Sequence, residues 1–172
     1  MSLLHEKSYD DIVVKEILDR ANVGRSTFYM HFRDKDDLLV NAMMDMLRTM
    51  RTAKAPPSIS GSEQFVWFSL PIFEHIEQER RTRRLRIGPH GRAILHEHLR
   101  QVLVKLISGQ AKKDPQATRK THGLIPEDLF VQYVASTFVL VLNWWVERKV
   151  ELAPAQVDAL FRALVGYSPI RK

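Results

Sequence analysis

An all-α fold is what this chain of 172 residues predicts, and three observations carry the prediction. Glycine and proline are sparse, at 7 and 8 residues. Apolar residues recur at helical spacing along most of the chain, and few segments alternate as strands do. The helical segments are punctuated by prolines and acids where they start and by glycines where they stop. Within that class the expected arrangement is a small head of short helices over residues 1–51, followed by a helical bundle over residues 52–172.

Each element has its own warrant. Leu3 to Lys7 reads as the last turn or so of a helix. Ile12 to Arg20 is a short helix with an apolar stripe of Ile12, Val13, Ile17 and Leu18, and Asp10 or Asp11 is placed to cap it. Ala21-Asn22-Val23-Gly24 is a tight turn. Asn22 stands where a left-handed backbone is needed, Ala21 lets two helices cross closely, and Val23, Ile17 and Phe28 are expected to fill the space between them. Arg25 to Phe32 is the second short helix, and Lys35 to about Arg51 a longer third. Ala55 to Ser62, with Pro56-Pro57 and Gly61, is the clearest linker. Ser62-Glu63 opens a helix through Ile76 that Pro71 should kink or divide. Gly88-Pro89 breaks what precedes it, a helix follows from about Gly91 to Ser108, and Gly109 to Gly123 reads as a polar loop. Pro126-Glu127-Asp128 starts a helix to about Lys149, with acids at its positive end. Ala153-Pro154 opens the last helix, ending near Gly166.

Composition narrows the function classes. The chain has no cysteine, which excludes disulfide scaffolds, thiolate metal sites and thiol catalysis. No apolar run near Met1 reads as a signal peptide, so a cytoplasmic protein is expected. The formal charge of +6 invites nucleic acid as a partner, but its placement does not carry that case. Residues 1–51 hold 8 Lys and Arg against 9 Asp and Glu, whereas residues 52–123 hold 13 against 6.

The two short helices and their turn have the size of a helix-turn-helix. The run from Val14 to Leu39 closely resembles the DNA-binding signature of the tetracycline-repressor (TetR) family, most strongly in Thr27-Phe28-Tyr29-x-His31-Phe32-x-x-Lys35-x-x-Leu38-Leu39. Three departures stand out. Family members carry a whole helix before this pair, and only Leu3 to Tyr9 can correspond to its end, so the first helix of the head is expected to be mostly absent. Ile12 and Val13 stand where threonine is common, and Gly24 and Ser26 replace a frequent serine and glycine. The resemblance implies a double-stranded DNA operator as partner. Its recognition helix would enter the major groove by its N-terminal end, where Arg25 can reach guanine O6 and N7. Ser26 and Thr27 can touch base edges or phosphates. The resemblance implies phosphate contacts from Tyr29 and His31. Lys35 opens the next helix, whose amides favour a phosphate, and Lys15 is a further backbone contact.

Leu129 to Val146 holds no charge and is nearly long enough to span a bilayer. Gln132, Ser136, Thr137 and Asn143 spread along it point instead to a helix buried on every side, with no membrane involved. The resemblance implies a homodimer through the last two helices, about 127–149 and 154–166, and a repressor modulated by a small-molecule effector. Phe65, Trp67, Phe68, Phe73, Phe130, Tyr133, Phe138, Trp144 and Trp145 either line a ligand cavity or form ordinary core, the second being favoured. Arg80 to Arg86 is a rival nucleic-acid signal, read as a solvated helix end. His96 and His98 are about 200° apart on a helix, so no metal site is expected. No nucleophile–base pair or phosphate loop is present, so no catalytic residue, cofactor or enzymatic activity is expected. The rival reading is a regulator-derived protein–protein interaction module without DNA binding.

Overall fold

The structure, a computed structural model, describes residues 3–54, 65–82, 86–113, 124–148 and 151–166. The expected linker Ala55–Ser62, Arg83 and Arg84 of the basic run, most of the expected loop Gly109–Gly123, and Lys149 lie outside these residues. Among the described residues there are seven α-helices and no strand: α1 (Val14–Ala21), α2 (Arg25–His31), α3 (Lys35–Lys54), α4 (Ser69–Thr82), α5 (Pro89–Ala111), α6 (Glu127–Glu147) and α7 (Pro154–Gly166). Two short 3-10 turns, Leu3–His5 and Tyr9–Asp11, precede them. The all-α expectation is met.

The chain divides into two compact units. The first comprises Met1–Lys54 with Gln78–His98, the second Ala55–Glu77 with Leu99–Lys172. The first unit therefore takes in the end of α4 and the start of α5, residues that the sequence reading groups with the bundle.

In the first unit, α1 and α2 are joined by the expected turn. Asn22 adopts φ 53 and ψ 47, the one non-glycine residue with positive φ among those described. Its N–H and that of Val23 both reach the Leu18 carbonyl, which closes the end of α1. Leu18 and Phe28 are buried between the helices. Val23, expected to plug that space, is 38 % exposed instead. At its start α1 has Val13 as N-cap, and Glu16 reaches back to accept the Val13 N–H at 3.0 Å. Asp10 does not cap α1. The Tyr9–Asp11 turn aims its carboxylate at the start of α5, where it accepts from the N–H groups of His90 (3.1 Å) and Gly91 (3.0 Å). Those two amides have no partner within the helix, so the cap answers a real deficit.

Space at this junction is tight. A Cβ on Gly88 would collide with the Asp10 carboxylate, and one on Gly91 would lie 2.6 Å from Tyr9 Cδ1. Glycine is the residue that permits such an approach. Backbone bonds reinforce it: Tyr9 N–H donates to Arg86 O at 2.7 Å, and Arg86 N–H to Leu4 O at 3.2 Å.

In the second unit, Pro71 neither kinks nor divides a helix. α4 begins at Ser69, so Pro71 falls in its first turn, where a missing N–H costs nothing. The core is aromatic. Phe138 of α6 lies 4.9 Å from Phe73, and 5.3 Å from both Phe68 and Phe161, centroid to centroid. Trp145 stands edge-on to Phe73 and donates its Nε1–H to Leu152 O at 3.2 Å. One polar cluster is embedded here: the Ser69 hydroxyl donates to Asp158, whose other oxygen accepts from Arg162 Nε at 2.6 Å. The buried carboxylate is thereby satisfied on both oxygens.

α6 is long and apolar enough to cross a membrane, but half of that stretch is buried inside the unit. Its packing is one-sided rather than all-round. Phe130, Val134, Phe138, Val141 and Trp145 face the core, while Leu129, Tyr133, Leu140 and Trp144 form an exposed stripe at spacings of four, seven and four.

Candidate nucleic-acid interface

α2 has one buried side chain, Phe28, which anchors it. Phe28 stacks edge-on against Tyr29 at 5.2 Å and tilted against Phe32 at 5.5 Å. Everything else the helix carries faces outward: Arg25, Ser26, Thr27, Tyr29, Met30 and His31 are all exposed. Among the described residues the side chains of Lys15, Arg25, Ser26, Thr27 and Tyr29 have no hydrogen-bond or ion-pair partner. Lys15 lies on the exposed side of α1, two residues past its N-cap. His31 is the last residue of α2, its ring 6.3 Å from that of Phe32.

Lys35 behaves differently from these. Its ammonium donates to three backbone carbonyls, those of Tyr9 (3.1 Å), Asp10 (3.2 Å) and Ile12 (2.8 Å), and lies 4.7 Å from the centre of the Tyr9 ring. The structure brings the other six sequence-derived residues to exposed positions on α1 and α2, and turns Lys35 inward to hold the Tyr9–Asp11 turn. A lysine near such a turn gives no local sequence sign of this, because its carbonyl partners lie more than twenty residues away.

In a head of net −1, the acids are kept away from α2. α2 contains no acid, and most acids of this unit are occupied elsewhere. Asp36 accepts the Tyr9 hydroxyl and lies 3.3 Å from His90 Nε2. Asp34 caps the Asp37 N–H, and Asp37 accepts the Arg33 N–H. Glu6 takes Arg20 in a two-pronged pair at 2.9 Å, and that hydrogen bond holds its carboxyl below the usual range. Glu16 is lowered chiefly by Lys7, then by the Val13 N–H. For Asp10, desolvation pushes upward, but the amides of Gly91 and His90 outweigh it and the net shift is downward. The Tyr9 phenol is pushed well above its ordinary range, first by burial and then by its bond to Asp36. These groups are fixed in the charge states that join the segments of the unit.

The aromatic residues considered for a ligand cavity separate into two sets. Phe65, Phe68, Phe73, Phe130, Phe138 and Trp145 are buried against one another, and Trp67 is half-buried. Tyr133 and Trp144 lie outside, on the exposed stripe of α6. Tyr133 donates its hydroxyl to Leu164 O at 2.8 Å, satisfying one of the last carbonyls of α7.

Residues 1–42 match the family model described as bacterial regulatory proteins, tetR family. Residues 67–166, more than half the chain, match the one described as a transcriptional regulator C-terminal region. No curated protein and no solved structure matches the chain.

Proposed function

The chain belongs to the tetR family of bacterial regulatory proteins, and on that footing we propose that it is a cytoplasmic homodimeric repressor that reads an operator with α2 and is modulated by a small-molecule effector. DNA-binding regulation of transcription is what the family establishes. The repressor role, the dimer, the effector and the contact residues are our reading.

The observation that carries it is the set of unpartnered polar side chains on α2 and α1, displayed by a unit whose acids are mostly occupied elsewhere. Arg25 reads guanine from the start of α2, with Ser26 and Thr27 beside it. Tyr29, His31 and Lys15 contact phosphates and set register. Lys35 contributes by holding the turn before α1, its own ammonium being engaged with carbonyls. Two heads reading one site need a dimer. The stripe of Leu129, Tyr133, Leu140 and Trp144 on α6, with Leu160 and Leu164 on α7, supports pairing through these helices. The operator is then roughly palindromic, its half-sites about one helical turn apart or a multiple of it. An effector acts by favouring a conformer whose heads no longer match that spacing.

The test is binding to genomic fragments flanking the protein's own gene at two salt concentrations. Retention of one fragment, weakening steeply with salt, is expected. Arg25→Ala should cost about 1–3 kcal/mol and relax specificity at one base pair, while Lys15→Ala should weaken all sequences alike and reduce the salt slope by about one. Failure to retain any neighbouring fragment would instead favour a protein–protein module.

A further inference from the structure

The geometry of α2 points to one more base-reading side chain: we infer that Met30 packs against the C5-methyl group of a thymine in the operator. This rests on the DNA-binding reading above and adds a residue to it. α2 turns by about 100° per residue, so the side chains two positions either side of Phe28 lie on the far side of the helix from it. Those are Ser26 and Met30. Thr27 and Tyr29 flank this outward line. Phe28 is 4 % exposed and anchors the helix, whereas Met30 is 75 % exposed, the most exposed large apolar side chain described in the first unit. Whatever groove receives α2 meets Ser26 and Met30 along its centre.

A single exposed apolar residue is common on any surface and says little by itself. Its position on the outward line, among polar neighbours, is what gives Met30 meaning. A thioether has no donor and only a weak acceptor, so it cannot read the hydrogen-bonding edge of a base. The major groove offers one apolar feature, the thymine methyl. Methionine is unbranched, with three rotatable bonds and a polarizable sulfur, and adapts its shape to such a contact. Four residues, or about 6 Å along the helix axis, separate Ser26 from Met30. Base pairs are spaced about 3.4 Å apart, so the two residues address different base pairs. Ser26 supplies hydrogen bonding at one and Met30 an apolar contact at the other.

The experiment starts from duplexes selected by the full-length chain from a randomised DNA pool. Each thymine of the selected site is replaced in turn by deoxyuridine, which removes the methyl and keeps the base pair. In the wild-type protein one position per half-site should lose about fourfold in affinity, the worth of burying one methyl group. Met30→Ala should bind the unmodified site more weakly by a similar factor and be indifferent to uracil at that position, while Met30→Leu keeps the sensitivity. If Met30→Ala pays the same uracil penalty as wild type at every position, or wild type pays none, Met30 does not read a methyl. If the wild-type chain selects no sequence at all, the reading of α2 as a recognition helix falls with it. Met30 is exposed, so these substitutions leave the fold intact, which circular dichroism would verify.

Discussion

The two units are held by different physics. In the second, rings meet rings: Phe138 alone touches Phe68, Phe73 and Phe161, and Trp145 closes the cluster on Phe73. In the first, the buried apolar side chains among the described residues are fewer and smaller, chiefly Ile12, Leu18, Phe28 and Leu47 with Tyr9. Directional bonds compensate, from Lys35 to three carbonyls, from two amides to Asp10, and from the Tyr9 hydroxyl to Asp36. Ring packing is non-directional and scales with buried area, whereas capping and charge-assisted bonds depend on angle and protonation state. A unit that must present one helix in one orientation gains from the second kind.

The largest expected effect is in the aromatic cluster. Phe138→Ala should lower the unfolding free energy by about 3–5 kcal/mol, the usual cost of emptying a buried phenylalanine site. Trp67, Trp144 and Trp145 all lie in the second unit, so tryptophan fluorescence during urea unfolding reports on it directly. A loss well below 1 kcal/mol would show that the rings are loosely packed, and the contrast would fail.

Next comes the junction of the first unit. Gly88→Ala forces a methyl onto the Asp10 carboxylate and should cost about 1–3 kcal/mol, read as lost hydrogen-exchange protection at the His90 and Gly91 amides. Fully retained protection there would mean that Asp10 is not held in place. Asn22 tests the turn on a finer scale. Replacing it with Ala should cost about 1 kcal/mol through the left-handed backbone, while Asn22→Gly should be close to neutral. Equal losses from both would place the role of Asn22 in its side chain.

The smallest effect is on pH. Asp10, Glu6 and Glu16 are lowered from ordinary values of 3.8, 4.5 and 4.5. Each therefore contributes stability that is present above those values and lost as pH falls through the lower folded ones. Acid should loosen amides of the first unit below about pH 4, with the aromatic unit less affected. Simultaneous loss of both, by hydrogen exchange across a pH series, would contradict the contrast.

What was legible in the sequence follows the same division. The helix pair, its Asn22 turn and the helix starts at Pro126 and Pro154 all depend on neighbours a few residues away. The buried Phe28 and the exposed Arg25, Ser26, Thr27 and Tyr29 followed from the same periodicity and signature. Partners distant in the chain left no local trace. Asp10 reads as a cap for the helix beginning two residues later, yet it caps one that begins at Pro89. Lys35 reads as a phosphate contact because it opens a helix, and nothing nearby announces its carbonyl partners. Pro71 reads as a kink because the true start of α4, at Ser69, bears no strong signal. Met30 carries no such sign, because an apolar residue in a short helix reads as core until the burial of Phe28 fixes which face points inward.

Gly88 and Gly91 have a consequence for protein engineering. A chimera that moved the head of this regulator onto another sensor would most naturally be cut at the proline-rich stretch near Ala55. That cut would leave Asp10 and Tyr9 facing whatever residues the recipient holds in place of Gly88 and Gly91, and any side chain there would strike them. The transferable part is discontinuous: residues 1–54 travel properly only with Arg86 to Gly91, and the two pieces must be exchanged together.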